Sequence, residues 1–288
     1  MVHVWCRNHH VGTPLWTLDR PPDLPTPATR GLGVSTKLSV NLNKIALIRN
    51  SRGTTIPSVI DAAETAIAAG AQGITVHPRP DMRHIRPQDV YDLAELLTKP
   101  AHAHIEYNIE GNPFAEAENN GFPGFMKLIE DVSPDQCTLV PDDPSQLTSD
   151  HGWNLTGESN RLKPIVLKLK QRNIRISCFM DPDREQLALA EHLGTDRIEF
   201  FTGPYAEHYG GRRGEEILGS FVSAGKYANS LGLGINAGHD LNQDNLARFC
   251  REVPKVLEVS IGHAIISDSL WFGLKETVKR YRAILDSL

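Results

Sequence analysis

From Lys37 onward, short apolar runs alternate with segments whose apolar residues recur at helical spacing. The apolar runs predict strands at 38–42, 73–77, 103–109, 137–140, 174–179, 198–202, 233–237 and 257–261. Between them the spacing predicts helices at 57–69, 87–97, 162–171, 183–193, 215–231 and 273–288, with two more near 123–131 and 242–250. Eight strand–helix cycles built on β-branched strand residues imply parallel strands covered by helices. Eight is also the number that closes a (β/α)8 TIM barrel, an α/β fold whose usual length is ~250 residues. The structural alternative is an open doubly wound sheet. That fold would place a Gly-rich turn after its first strand if it bound a dinucleotide. Here the first strand leads into Lys44-Ile45-Ala46-Leu47-Ile48-Arg49, so a single-domain barrel over 37–288 is the better reading.

Residues 1–36 follow another pattern. Five prolines and three arginines fall among the first 35 residues without helical or strand periodicity, the composition of a flexible extension. This stretch lacks the continuous apolar segment of a secretory signal. No apolar run in the chain approaches the ~20 residues that span a bilayer, so no membrane partner is expected and the chain reads as cytoplasmic. The four cysteines, Cys6, Cys137, Cys178 and Cys250, form no CxxC pair, which argues against a disulfide scaffold or a structural zinc site. Cys137 and Cys178 lie in apolar runs and read as buried, inert thiols. A formal charge of −5 argues against nucleic acid as a partner. Small phosphorylated ligands stay open, because one arginine or one helix N-terminus can hold a phosphate.

Reactive side chains gather where a barrel builds its active site, at the C-terminal ends of several strands. Strand one ends in Asn41-Leu42-Asn43-Lys44, strand two in His77-Pro78-Arg79, and strand three in Asn108-Ile109-Glu110-Gly111. Strand six contains Glu199 and leads into Thr202-Gly203. Strand seven ends in Asn236-Ala237-Gly238-His239, and strand eight in Gly262-His263. His77 either caps its strand or carries a proton. Arg79 pairs with a carboxylate or holds a substrate oxygen, whereas His84, in a charged loop, reads as solvated. Glu110 is either an exposed loop acid or a carboxyl at the barrel mouth whose partial burial suits it to proton transfer. Glu199, inside an apolar strand, is costly to bury unless it pairs with a structural cation or meets positive charge developing in a substrate. Gly238-His239 and Gly262-His263 are near-repeats in the two loops that often bind phosphate, or else two tight turns carrying histidines.

No HExxH spacing is present and the candidate ligands are scattered over many strands, so no metal is expected. Ser177 and Ser260 lack a GxSxG setting, and no cysteine strand carries an adjacent histidine, so nucleophilic catalysis is unsupported.

At these residues the chain resembles the pyridoxine 5′-phosphate synthase family over nearly everything after Lys37. The resemblance is carried by Val40-Asn41 with Arg49-Asn50-Ser51-Arg52-Gly53, Gly73-Ile74-Thr75-Val76-His77, Arg83-His84-Ile85 and Asn108-Ile109-Glu110. It continues through Leu139-Val140-Pro141, Glu199 with Thr202-Gly203 and Tyr205-Ala206, Asn236-Ala237-Gly238-His239 and Ile261-Gly262-His263-Ala264-Ile265-Ile266. It implies a barrel enzyme that needs no cofactor. The implied reaction is a ring-closing condensation of 1-deoxy-D-xylulose 5-phosphate with 3-amino-2-oxopropyl phosphate. Its products are pyridoxine 5′-phosphate, inorganic phosphate and water. By the same resemblance His77 and Glu110 are proton acceptors, His239 the proton donor, and Glu199 the acid that stabilises a cationic transition state. Asn41, Arg52, Gly262 and His263 would bind the amino-ketone phosphate beside His239, while Arg79, His84 and Thr148 would bind the pentulose phosphate. The family's usual assembly, an octamer built from dimers, is the implied oligomer.

Two positions depart from the family pattern. Asn43-Lys44 stands where many members have Asp-His, at a pentulose-phosphate contact. Asp240 stands where a glycine is common after the histidine of strand seven, and a carboxylate there would repel phosphate unless it turned away. Other readings stay open: a sugar-phosphate isomerase, an aldolase using Lys44 as its Schiff-base lysine, and a binding protein that has lost activity.

Overall fold

The computed structural model describes residues 35–288; the predicted extension over 1–36 lies outside the described residues except for its last two positions. Of these, Thr36 is buried, and its hydroxyl donates to the Val256 carbonyl at 2.8 Å. Eight parallel strands close into one barrel in chain order: β1 (Lys37–Asn41), β2 (Gly73–Val76), β3 (Glu106–Gly111), β4 (Gln136–Leu139), β5 (Arg175–Met180), β6 (Arg197–Phe200), β7 (Gly234–Ala237) and β8 (Val256–Ile261). Closure runs from Lys37 opposite Glu258 to Val40 opposite Ile261, so the barrel fold expected from the periodicity is the one observed.

Around the strands lie α1 (Asn43–Asn50), α2 (Val59–Ala68), α3 (Pro87–Leu97), α4 (Phe125–Val132), α5 (Leu155–Gln171), α6 (Arg184–Leu193), α7 (Gly203–His208), α8 (Arg212–Ser230), α9 (Leu246–Glu252), α10 (His263–Phe272) and α11 (Leu274–Asp286). Several ends are written locally. Ser58 accepts from the Asp61 N–H at 3.1 Å to start α2, and Pro87 opens α3 while the Asp89 carboxylate accepts from the Arg86 N–H. Asp183 caps two N–H groups of α6, which stops at Gly194 in the left-handed region, φ +96°.

Three helices escaped the periodicity: α1, α7 and α10. Each begins within three residues of a strand end, so its first turn carries site residues rather than a regular apolar stripe. Helix α5 begins seven residues before the predicted 162, with Pro164 inside it. The third strand starts at Glu106, because 103–105 form a turn after a 3₁₀ segment at Pro100–His102.

The strands do not read as apolar on both faces. Leu38, Val40, Ile74, Val76, Ile109, Cys137, Leu139, Ile176, Cys178, Ile198, Phe200, Ile235, Val259 and Ile261 are fully buried in the layer between sheet and helices. The alternate positions are polar, and their bonds cross the barrel interior. Ser39 meets Thr75 at 2.7 Å, and Thr138 donates to Asn108 at 3.0 Å. Asn236 of β7 donates to Gln136 of β4 at 3.3 Å, a contact that only inward-facing side chains of non-neighbouring strands can make. At the N-terminal end Arg175 pairs with Glu106 at 2.7 Å, and Arg197 approaches Glu258 at 3.5 Å.

Burial pushes the Glu258 carboxyl well above the usual range, reinforced by the Glu106 charge and relieved by Arg197 and Arg175. An acid whose folded pKa is raised contributes stability below its unfolded pKa that is lost as pH rises through the folded one. Glu258→Gln, which cannot ionise, is expected to melt with the parent at pH 5 and about 2–4 °C above it at pH 9. A thermal melt series over that range checks this, and parallel curves for the two proteins would refute the buried neutral acid.

Candidate active site

At the C-terminal end of the strands lies a cavity of about 560 Å³, lined by Asn41, Asn43 and Lys44 after β1, His77, Arg79 and His84 after β2, and Glu110 of β3. Thr148 and Ser149 come from the loop after β4, His239 and Asp240 from the turn after β7, and Gly262 and His263 from the start of α10. Glu199 is buried in the barrel interior without lining this cavity, whereas twelve of the other thirteen residues singled out from the sequence line it. Arg52 does not: it is exposed in the turn after α1 and does not line the cavity.

His77 and Glu110 sit at the centre, 5% and 8% exposed. His77 Nδ1 lies 3.9 Å from Glu110 Oε2, and Nε2 lies 3.7 Å from Asp142 Oδ2, both beyond hydrogen-bond range. Burial, with the Arg79 guanidinium and His84, holds the His77 pKa well below its ordinary value, so the ring is neutral and able to accept a proton. Burial pushes Glu110 up to about 7, against the opposing charge of His239 and with a further upward push from Asp142. Glu110 therefore titrates near neutrality, the range in which a carboxyl serves general acid–base chemistry. Asn41 donates to Glu110 Oε2 at 3.3 Å.

Glu199 of β6 is buried in the barrel interior, 2% exposed. A Cβ built on Gly238 would come within 2.4 Å of its Oε1, so the bare glycine backbone is what admits the carboxyl there. No ion pair forms with Glu199 among the described residues, and its Oε2 has no partner; the structural-cation alternative is not the one observed. Burial, then the Glu110 and Glu258 charges, raise its pKa well above the carboxylate range. It is a neutral acid that becomes an anion readily only when positive charge arrives.

His84 corrects the solvated reading: it is 7% exposed. Asn50 of α1 donates to its carbonyl at 2.7 Å, and Arg49, paired with Asp89 of α3, donates to the same oxygen at 3.4 Å. These contacts pull the loop after β2 over the barrel mouth. Its Nδ1 accepts from the Ile85 N–H at 2.9 Å, and burial with Arg79 and Lys44 lowers its pKa to about 3. The ring is thus neutral and carries its proton on Nε2.

Asn43, at the first departure from the family pattern, has a local task. Its Oδ1 accepts from the His77 N–H at 2.8 Å, tying β1 to the end of β2. The α10 N-terminus opens onto the cavity at Gly262 and His263, where free N–H groups favour an anion. His263 itself is exposed, and Thr148 is exposed on the rim.

The sequence reading missed Asp142 and Ser149. Asp142 is 5% exposed, pairs with Arg79, and accepts from the Ser149 hydroxyl at 2.9 Å; Arg79 also donates to the Gln146 carbonyl at 3.2 Å. The available signal was Pro141-Asp142-Asp143-Pro144 directly after a strand, a position where a buried acid was as plausible as a solvated one. Cys137 and Cys178 are buried, with burial pushing the Cys178 thiol up to about 12, in line with inert thiols. Among the described residues no cluster of three or more His, Cys, Asp or Glu is arranged to hold a metal, and no helix is long and apolar enough to cross a membrane.

The family model described as "Pyridoxal phosphate biosynthesis protein PdxJ" matches residues 38–287. The chain belongs to the PdxJ family. A relative from Xanthomonas campestris pv. campestris (strain B100), named pyridoxine 5′-phosphate synthase, is 51% identical over 252 residues, covering 88% of this chain and 97% of the relative. One of the same name from Xylella fastidiosa (strain 9a5c) is 51% identical over 253 residues, covering 88% and 96%. Among solved structures, 3-keto-L-gulonate-6-phosphate decarboxylase from Vibrio cholerae superposes with a TM-score of 0.57 at 10% identity, over 88% of this chain and 98% of that one. At that identity the likeness is one of fold alone. In this PdxJ-family member the Arg79–Asp142 pair joins the loops after β2 and β4 at the barrel mouth.

Removing one partner of that buried pair leaves an uncompensated charge. Arg79→Met is expected to lower unfolding free energy by about 3 kcal/mol, and Arg79→Met with Asp142→Asn to recover part of the loss. Urea unfolding of the four proteins in the cycle checks this; additive losses would show the two groups to be energetically independent.

Proposed function

We propose that this chain is a pyridoxine 5′-phosphate synthase condensing 1-deoxy-D-xylulose 5-phosphate with 3-amino-2-oxopropyl phosphate, by acid–base catalysis without a cofactor. The observation that carries the reading is one cavity holding a neutral histidine, a carboxyl that titrates near neutrality and a histidine whose pKa is raised, with a buried acid bearing an unpartnered oxygen in the barrel interior. Family membership supports it.

Joining an amine to a ketone, losing water and closing a ring are successive proton transfers. In this reading neutral His77 and ionised Glu110 take protons, and His239 returns them to departing oxygens. Glu199 faces the iminium-like charge that forms when the amine condenses, and its carboxyl stabilises that charged state more than the neutral ground state. Asn41, Gly262 and His263 at the α10 N-terminus, with Arg52 brought in from its exposed turn, receive the amino-ketone phosphate. Arg79, His84, Thr148, Asn43 and Lys44 receive the pentulose phosphate. Because Arg79 already holds Asp142, the phosphate shares the guanidinium rather than filling an empty one.

We also propose a cytoplasmic octamer built from dimers, with residues 37–288 forming one catalytic barrel domain. The exposed Leu270 and Trp271 at the end of α10 offer apolar surface for such an assembly to cover.

Purified protein given both substrates is expected to yield pyridoxine 5′-phosphate. Glu110 accepts a proton only when ionised, so kcat is expected to rise with pH through about 7. Glu110→Gln is expected to lose about 10²- to 10⁴-fold in kcat together with that acidic limb. Folded wild-type protein that makes no product refutes the reaction, and a limb retained in the variant refutes the role of Glu110.

A further inference from the structure

The second departure from the family pattern supplies an inference about His239 that rests on the synthase reading. The carboxylate of Asp240 folds back onto its neighbour as an ion pair, with Oδ2 2.5 Å from His239 Nδ1. The other ring nitrogen, Nε2, lies 3.2 Å from the Ser149 carbonyl oxygen. A carboxylate this close to one ring nitrogen and a carbonyl oxygen at the other both favour the protonated ring. Ser149 cannot swing away freely, because its hydroxyl is held by Asp142, itself paired with Arg79.

The ring is also confined. Phe179 and Phe201 flank it, with centroids 6.0 Å from its own in both cases. The turn that carries it is closed by the Leu241 N–H donating to the Gly238 carbonyl at 3.2 Å, and the Thr202 hydroxyl donates to the same oxygen at 2.5 Å. Asp240 therefore has one ring, in one orientation, to address.

We propose that Asp240 is the positioning residue of His239: it fixes the imidazolium through Nδ1 and so leaves Nε2–H as the proton delivered to substrate. On binding, Nε2–H exchanges the Ser149 carbonyl for a departing substrate oxygen. The proton passes from Nε2 to that oxygen, and the neutral ring keeps its Nδ1–H beside the Asp240 carboxylate. This disposes of the repulsion expected between a carboxylate and a substrate phosphate at this turn, since the Asp240 charge is taken up by the cation beside it.

The charged and titratable groups facing His239 are Asp240 on its own turn, Glu110 from β3, Asp142 from the loop after β4, and His77 after β2. Burial opposes the ring's charge; the Asp240 hydrogen bond and charge, then Glu110 and the Ser149 carbonyl, outweigh it and raise its pKa above the ordinary value. Neutral His77 adds no competing cation.

The test pairs Asp240→Asn with Asp240→Glu and follows His239 by NMR titration of its labelled ring, assigned with His239→Gln, alongside kcat and KM against pH. A donor works only while protonated, so losing the Asp240 charge moves the basic limb of kcat down. The expected result for Asp240→Asn is a ring titration and a basic limb both lower by about one pH unit. That corresponds to a loss of about tenfold in kcat above the limb, recovery at lower pH, and KM for 3-amino-2-oxopropyl phosphate unchanged. Asp240→Glu is expected to restore the ring titration. A ring titration that stays in place in Asp240→Asn overturns the proposal, as does a change confined to KM. The titration is read without turnover, so an inactive wild-type protein would refute the synthase reading and still leave the Asp240–His239 pairing open to judgement.

Discussion

Everything at the mouth of this barrel depends on a polar interior. Apolar side chains of the strands face the helices, and the alternate positions put hydroxyls, amides, arginines and carboxyls inside a closed cylinder. A buried polar group must be bonded within the protein, and a buried carboxyl with no cation is forced to hold its proton. Bonds such as Ser39–Thr75 and Asn236–Gln136 meet the first demand. Glu199 shows the second, and Glu258 is held up by burial and the Glu106 charge even with Arg197 at 3.5 Å. Glu110, nearer the mouth and facing His239, is brought to an intermediate position near neutrality. Depth in one cylinder thus separates the behaviour of three similar acids.

The rim is held by contacts between loops rather than by the sheet. Arg49, Asn50 and Asp89 fasten the loop after β2, which buries His84. Arg79 and Asp142 join that loop to the one after β4, and Ser149 carries the connection on to His239 after β7. Side chains from three strand ends are therefore mutually braced before any substrate arrives. Such preorganisation lets proton transfer proceed without first ordering the groups that perform it. The same bracing explains why one cavity can present a neutral histidine beside a cationic one. His77 faces Arg79 and finds no acceptor within bonding distance, while His239 lies against the Asp240 carboxylate at one nitrogen and the Ser149 carbonyl at the other.

Much of this was legible in the sequence. Short apolar runs separated by helical stripes predicted all eight strands, with boundaries displaced by up to three residues, because burial against a helix layer leaves a strong local pattern. His77, Glu110, Glu199, His239 and Gly262 announced themselves by type and by their place at or near strand ends. Helices α1, α7 and α10 were less legible, since their first turns serve the cavity and break the apolar stripe that would have marked them.

Other properties were decided only in three dimensions. His84 looked like a solvated loop residue until Asn50 and Arg49, distant from it in sequence, drew its backbone inward. Asp142 carried no local signal that distinguished a buried acid from an exposed one. Asp240 suggested repulsion of a phosphate, whereas its rotation onto His239 makes it a partner of the cation. Periodicity and composition determined the barrel and most of the residues at its mouth, because hydrophobic burial repeats along the chain and can be read locally. Protonation states, pairings and the direction in which each polar side chain points were set by the tertiary structure, because they depend on charges and acceptors brought together from separate strands.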